Sequence, residues 1–107
     1  MVTIDPSKDI LTLINVVEVD PADCDKVVSM FVEATEAVIS KLDGFISSSV
    51  HRSLDGTRVI NYAQWESEAA LDGSRNHPDT QVYYEKMDAY AKSMQPMLTR
   101  VATSNER

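Results

Sequence analysis

Only one cysteine, three glycines and two histidines occur among the 107 residues, and each scarcity removes a class of chemistry. The lone Cys24 cannot form an intrachain disulfide, which fits a reducing compartment, and near a helix start it reads as a small helical residue. Gly44, Gly56 and Gly73 are too scattered for a phosphate-binding loop or a dinucleotide fingerprint. Two histidines and a cysteine without ligand-type spacing argue against a zinc, non-haem iron or iron–sulfur site, so no metal is expected. Basic residues are also few, 10 Lys and Arg against 17 Asp and Glu. The resulting net charge of −7 disfavours nucleic acid and anionic membrane as partners. No apolar run approaches the ~20 residues of a membrane span and no basic-then-apolar leader opens the chain, so the expected location is the cytoplasm.

Hydrophobic residues at 43% and charged ones at 25% are what a soluble globular domain carries, and the length suits one core. A single domain over 1–107 is expected, with loose termini at 1–9 and 104–107.

Thr57–Glu66 is the most informative stretch. In a strand Val59, Asn61, Ala63 and Trp65 share one face, with Ile60, Tyr62 and Gln64 on the other. At about 3.3 Å per residue the Asn61 and Trp65 backbones lie roughly 13 Å apart, with only the Ala63 methyl between them. An amide and an indole so spaced outline a pocket for a flat, multi-ring molecule. The same spacing also suits ordinary core packing. Ile10–Val19 is a second strand, with Leu11, Leu13, Asn15, Val17 and Val19 on one face. Asn15 there is an amide among aliphatics, expensive to bury without a partner or a ligand.

Asp20-Pro21 opens a long amphipathic helix whose stripe (Val27, Val28, Phe31, Thr35, Val38, Ile39, Leu42) runs to Gly44. Phe45–Arg52 is a strand containing the hydroxyl run Ser47-Ser48-Ser49, which lines a cavity or faces water. Leu54-Asp55-Gly56-Thr57 turns it back antiparallel onto the next strand. Ser67 caps a short helix through about Asp72, ended by Gly73. A second helix spans about Asp79 to Gln95, with the stripe Tyr83, Met87, Tyr90, Ala91 and Met94 facing a core or a ligand. Pro96 breaks it before a strand at Met97–Thr103. The order is strand, helix, strand, strand, helix, strand, the split β-α-β of a ferredoxin-like α+β fold with a four-stranded antiparallel sheet. Because the second face of the first strand (Ile10, Thr12, Ile14, Val16) is also apolar, a homodimer is expected to cover it.

The run Asn61-Tyr62-Ala63-Gln64-Trp65-Glu66-Ser67-Glu68, preceded by Gly44-Phe45 and Asp55-Gly56-Thr57, resembles the antibiotic biosynthesis monooxygenase family of dimeric α+β barrels over about Ile10 to Thr103. It is most similar to the cofactor-free oxygenases that convert anthrones or hydroquinones to quinones in aromatic polyketide pathways. The resemblance implies an O2-dependent monooxygenase with no cofactor and a small aromatic substrate. It puts the catalytic amide on Asn61, the indole on Trp65 and a second amide on Asn15. Ala63, Leu71, Tyr83, Met87 and Tyr90 then line the substrate, and the candidates for the proton step are His77, His51 and the acidity of the substrate itself. This chain departs from the pattern at Leu71, where related anthrone oxygenases can carry a tyrosine, and near Asp79, where they can carry an arginine; Tyr83, Tyr84 and Arg75 are the neighbouring alternatives. The rival readings are a haem-degrading oxygenase of the same superfamily, which needs a helical histidine, and a non-catalytic dimer that binds an aromatic metabolite.

Overall fold

The computed structural model describes residues 1–107. Four strands, β1 (Leu11–Val19), β2 (Phe45–Arg52), β3 (Arg58–Trp65) and β4 (Ala91–Thr99), form one antiparallel sheet in the order β2-β3-β1-β4. Three helices, α1 (Cys24–Ala37), α2 (Glu68–Arg75) and α3 (Pro78–Asp88), complete the ferredoxin-like α+β fold. The alternation in β1 and β3 decides which sheet face is covered. Leu11, Leu13, Asn15, Val17 and Val19 are buried with Val59, Asn61, Ala63 and Trp65, as their shared face requires.

Register carries the sequence pattern into the core. Asn15 pairs directly with Asn61, Leu13 with Ala63 and Val17 with Val59. The two amides therefore form a polar belt between two apolar clusters. One is built on Leu11, Leu13, Ala34, Ile39, Ala63, Trp65 and Leu71, the other on Val17, Val19, Cys24, Val27, Phe31, Val59 and Met87.

The helix ends differ from the sequence expectation in four places. A short 3-10 turn at Pro21–Asp23 precedes α1; Asp20 sits at its N-cap position without a side-chain cap bond and pairs instead with Lys92 at 3.0 Å. Helix α1 stops at Ala37, because Val38 leaves the helical region (φ −131°, ψ −63°), and a 3-10 turn at Ile39–Lys41 finishes the stripe. Helix α2 runs through Gly73 to Arg75. A side chain at Gly73 would meet nothing within 4 Å, so this glycine weakens the helix without breaking it. Helix α3 ends at Asp88, and Ala91–Thr99 is a strand, not a continuation of the helix. Pairing with β1 overrides the helical spacing, and Pro96 is tolerated within β4 because β4 is an edge strand.

Two local devices set the loops around β3. Gly44 has φ +84°, and a Cβ there would lie 2.4 Å from the Ala70 Cβ, so only glycine lets α2 close on the β2 entrance. Between β2 and β3, the Asp55 carboxylate accepts from the Ser53 hydroxyl and from the Thr57 hydroxyl and N–H. Those bonds, from Thr57 first, pull its pKa down to about 2.

The outer sheet face carries half-buried Ile14, Val16, Ile60 and Tyr62 and the exposed Met97. At one end the N-terminal arm lies against it: Ser47 donates to Gln64 Oε1 at 2.7 Å, and Gln64 Nε2 donates to the Thr3 carbonyl at 2.8 Å.

Candidate active site

The polar belt opens on two adjoining spaces between the sheet and helices α2 and α3. The outer one is a cleft of about 590 Å³ along the β1–β4 half of the sheet, bordered by Leu13, Asn15, Met94 and Pro96 below and by Arg75, Gln81, Tyr84, Glu85 and Asp88 above. That volume lies in the range of small-molecule sites. The inner one measures about 20 Å³ and is walled by Asn61, Ala63, Trp65, Leu71, Phe45 and Ser48 among others. It holds something the size of one water molecule and no more. Leu13, Arg75 and Tyr84 border both spaces, so the two meet there.

Each polar group in the inner wall has a definite state. Ser48, which faces the helices because its register partner is Ala63, donates from its hydroxyl to Asn61 Oδ1 at 2.9 Å. With its oxygen thus engaged, Asn61 has its NH2 as the remaining donor. Trp65 is 1% exposed and its ring meets Phe45 edge to face, with centroids 5.5 Å apart. The Trp65 Nε1–H has no partner, and neither has Asn15 Oδ1. Buried polar atoms are nearly always bonded; a third orphan, Thr80 Oγ1 on α3, borders neither space, whereas Trp65 Nε1 and Asn15 Oδ1 belong to residues that wall the two spaces and are groups that a ligand would satisfy. Tyr84 rests edge-on against Phe31 at 6.4 Å. Desolvation raises its phenol above the ordinary tyrosine value, with the Arg75 charge pulling the other way, so at neutral pH it is a hydrogen-bond donor.

Of the residues singled out in the sequence, the structure brings Asn61, Ala63, Trp65 and Leu71 to the inner space and Asn15 to the adjoining cleft. Others lie elsewhere. Met87 belongs to the second apolar cluster, Tyr90 packs at that cluster's edge beyond the end of α3, and Tyr83 reaches Glu33 on α1 at 3.4 Å. His51 points to the outer sheet face, as its pairing with Ile60 requires, and is exposed. His77 is the N-cap of α3, its Nδ1 accepting the Asp79 N–H at 3.2 Å, and borders neither space. Ser48 was visible only as one of a hydroxyl run; hairpin register is the signal that aims it at Asn61. In the sequence Arg75 and Tyr84 stand only as neighbouring alternatives to the arginine and tyrosine of related oxygenases, and their place at the junction carries no signal, because the connection between α2 and α3 has no period of its own.

The profile of a family described as antibiotic biosynthesis monooxygenase matches residues 10–86. The chain is 40% identical over 85 residues to tetracenomycin-F1 monooxygenase of Streptomyces glaucescens, covering 79% of this chain and 76% of that one. Among solved structures, a monooxygenase from the gene ActVA-Orf6 of Streptomyces coelicolor, bound to nanaomycin D, superposes with a TM-score of 0.79 at 27% identity, over 96% of each chain. SnoaB of Streptomyces nogalater, a cofactor-independent oxygenase, superposes with a TM-score of 0.75 at 20% identity, over 90% of this chain and 96% of that one.

Proposed function

The chain belongs to the antibiotic biosynthesis monooxygenase family, and from that premise we propose that it is a cofactor-independent monooxygenase that converts a polyketide-type anthrone or hydroquinone to a quinone with O2. The observation that carries this reading is the pair of orphaned buried polar atoms, Trp65 Nε1 and Asn15 Oδ1, on either side of the Asn61 amide and next to a cleft of ring-system size. A ring system seats in the outer cleft against Asn15, Leu13 and Met94, with its reacting edge toward the inner space. O2 meets that edge at the junction of the two spaces, and only the distal oxygen of the peroxide enters the inner one.

The chemistry then balances without help. An anthrone CH2 gives up a proton and leaves an anion spread over the ring and its oxygen. The anion passes one electron to O2, and the ring radical and superoxide join in a C–O bond. The peroxide takes up a proton; its O–O bond then breaks as the second C–H proton leaves, giving C=O and one water. The protein favours the anion by offering donors where charge develops. The Asn61 NH2 meets the ring oxygen and the Trp65 N–H meets the peroxide. Neither histidine borders either space, so the acidic CH2 proton leaves to water in the open cleft, which Glu85 and Asp88 border.

A second copy of the chain covers the outer sheet face through Ile14, Val16, Ile60, Tyr62 and Met97, giving a homodimer that sedimentation will register. The test of function is oxygen uptake by the purified, metal-free protein with dithranol and a panel of hydroquinones. Wild type is expected to exceed the spontaneous rate. Asn61→Ala should lose on the order of 100-fold, the scale of one lost oxyanion donor, and Trp65→Phe should lose less. Uptake that ignores both substitutions, or none above background, would leave an aromatic-binding protein instead.

A further inference from the structure

Arg75 is the one cation that borders both the cleft and the inner space. It ends α2, is half-buried, and takes part in none of the four ion pairs of the fold, which join Lys26 to Asp23, Arg52 to Asp25, Lys92 to Asp20 and Arg100 to Asp9. Two carboxylates, Glu85 and Asp88, border the same cleft, yet neither is paired with it. Holding an arginine unpaired against a cavity, in a chain of net charge −7, makes sense if a ligand supplies the missing anion. Tyr84 stands beside it as a neutral hydroxyl donor at the same junction.

We propose that Arg75 and Tyr84 are the specificity-determining residues that anchor an ionised oxygen of the aromatic substrate, holding it at the junction of the cleft and the inner space. Glu85 and Asp88 repel that group from the cleft's outer border, which fixes the orientation: anion inward, neutral rings outward. The anion is a ring carboxylate or a phenolate; both present the acceptor geometry a guanidinium takes. This assignment rests on the aromatic-substrate reading above but not on oxygen chemistry.

Quenching of Trp65, the only tryptophan and a wall of the inner space, reads binding without turnover. The probes are anthraquinone-2-carboxylate, its neutral carboxamide, and 2-hydroxyanthraquinone above and below its ionisation. Wild type is expected to bind the carboxylate at least tenfold more tightly than the carboxamide. Arg75→Gln should abolish that preference and change carboxamide binding less than twofold. Arg75→Lys should keep part of it, because a lysine restores the charge but not the planar fork. Tyr84→Phe should weaken both acidic probes severalfold. Preference for ionised 2-hydroxyanthraquinone over the carboxylate identifies the phenolate as the natural anion, and the reverse identifies the carboxylate. Equal loss for charged and neutral probes in Arg75→Gln would mean that the arginine only answers the α2 dipole, and would overturn the proposal. So would an unchanged preference, or no quenching of wild type by any probe. If charge preference behaves as stated but no anthrone consumes oxygen, the anchor stands and the monooxygenase reading falls.

Discussion

The two apolar clusters on the helix-covered face are equal in number of buried residues and opposite in character. The cluster of Val17, Val19, Cys24, Val27, Phe31, Val59 and Met87 contains no orphaned polar atom and borders neither the cleft nor the inner space. The cluster of Leu11, Leu13, Ala34, Ile39, Ala63, Trp65 and Leu71 encloses the inner space, holds the unpartnered Trp65 Nε1 and lies against the cleft. The strands β1 and β3 run through both, with Asn15 and Asn61 paired at the frontier. The same two strands thus build a scaffold at one end and the wall of a small chamber of about 20 Å³ at the other. The lesson is about division of labour: packing is complete at one end, while two of the three unmet buried polar atoms, Trp65 Nε1 and Asn15 Oδ1, belong to residues that wall the spaces at the other.

The largest effect expected on this contrast comes from the scaffold end. Phe31 is 1% exposed and Phe31→Ala should cost about 3–5 kcal/mol, the range for a buried aromatic truncated to alanine. Thermal unfolding should move down by more than 10 °C or so at the usual ~4–8 °C per kcal/mol for a domain of this size. Activity per folded molecule, measured well below the new transition, should stay within a fewfold of wild type. A variant that unfolds normally but loses its oxygen uptake would mean that the two ends are not separable.

Asn15→Leu probes the frontier and reverses the sign. It replaces a buried, partnerless amide oxygen with an apolar side chain of similar volume, which removes an unmet desolvation cost of about 1–3 kcal/mol. Chemical denaturation should show equal or higher stability, while substrate affinity and turnover fall by tenfold or more. Loss of stability in this variant would show that Asn15 serves the fold instead.

Much of this contrast is legible in the sequence. A period of two places Asn15 among Leu13 and Val17, and Asn61 with Trp65, on one face whatever else the chain does; the register then sets the amides opposite one another. The outer cleft is not legible, because its far wall depends on where α3 stops. Tyr83, Met87, Tyr90, Ala91 and Met94 keep helical spacing straight through that end, and β4 offers Lys92, Ser93, Gln95 and Pro96 with no β-branched residue before Thr99. An edge strand exposed on much of its length selects weakly for strand formers, so only its pairing with β1 announces it. Arg75 and Tyr84 reach the junction through that same unannounced geometry.

A smaller effect separates the hydrogen bond from the packing at the chamber end. Ser48→Ala removes the donor to Asn61 Oδ1, which should cost about 1 kcal/mol of stability. It also frees the Asn61 amide to rotate, so kcat should fall by more than the stability change explains, with KM nearly constant. Equal kcat in the two proteins would show that Asn61 is oriented by its packing alone.

The smallest effect lies outside both clusters and sets the baseline for the others. Gly73 is exposed in the interior of α2, without positive φ, and a methyl group added there meets nothing within 4 Å. Gly73→Ala should therefore stabilise by about 0.5–1 kcal/mol, chiefly by narrowing the unfolded ensemble. Because α2 carries both Leu71 of the inner wall and Arg75 at the junction, stiffening it also asks whether the chamber needs α2 to move. Unchanged turnover with a higher unfolding midpoint means that substrate enters along the β4 side while α2 stays fixed. A drop in turnover at higher stability means that α2 opens, and that the glycine is kept at the chamber end for the freedom that the scaffold end does without.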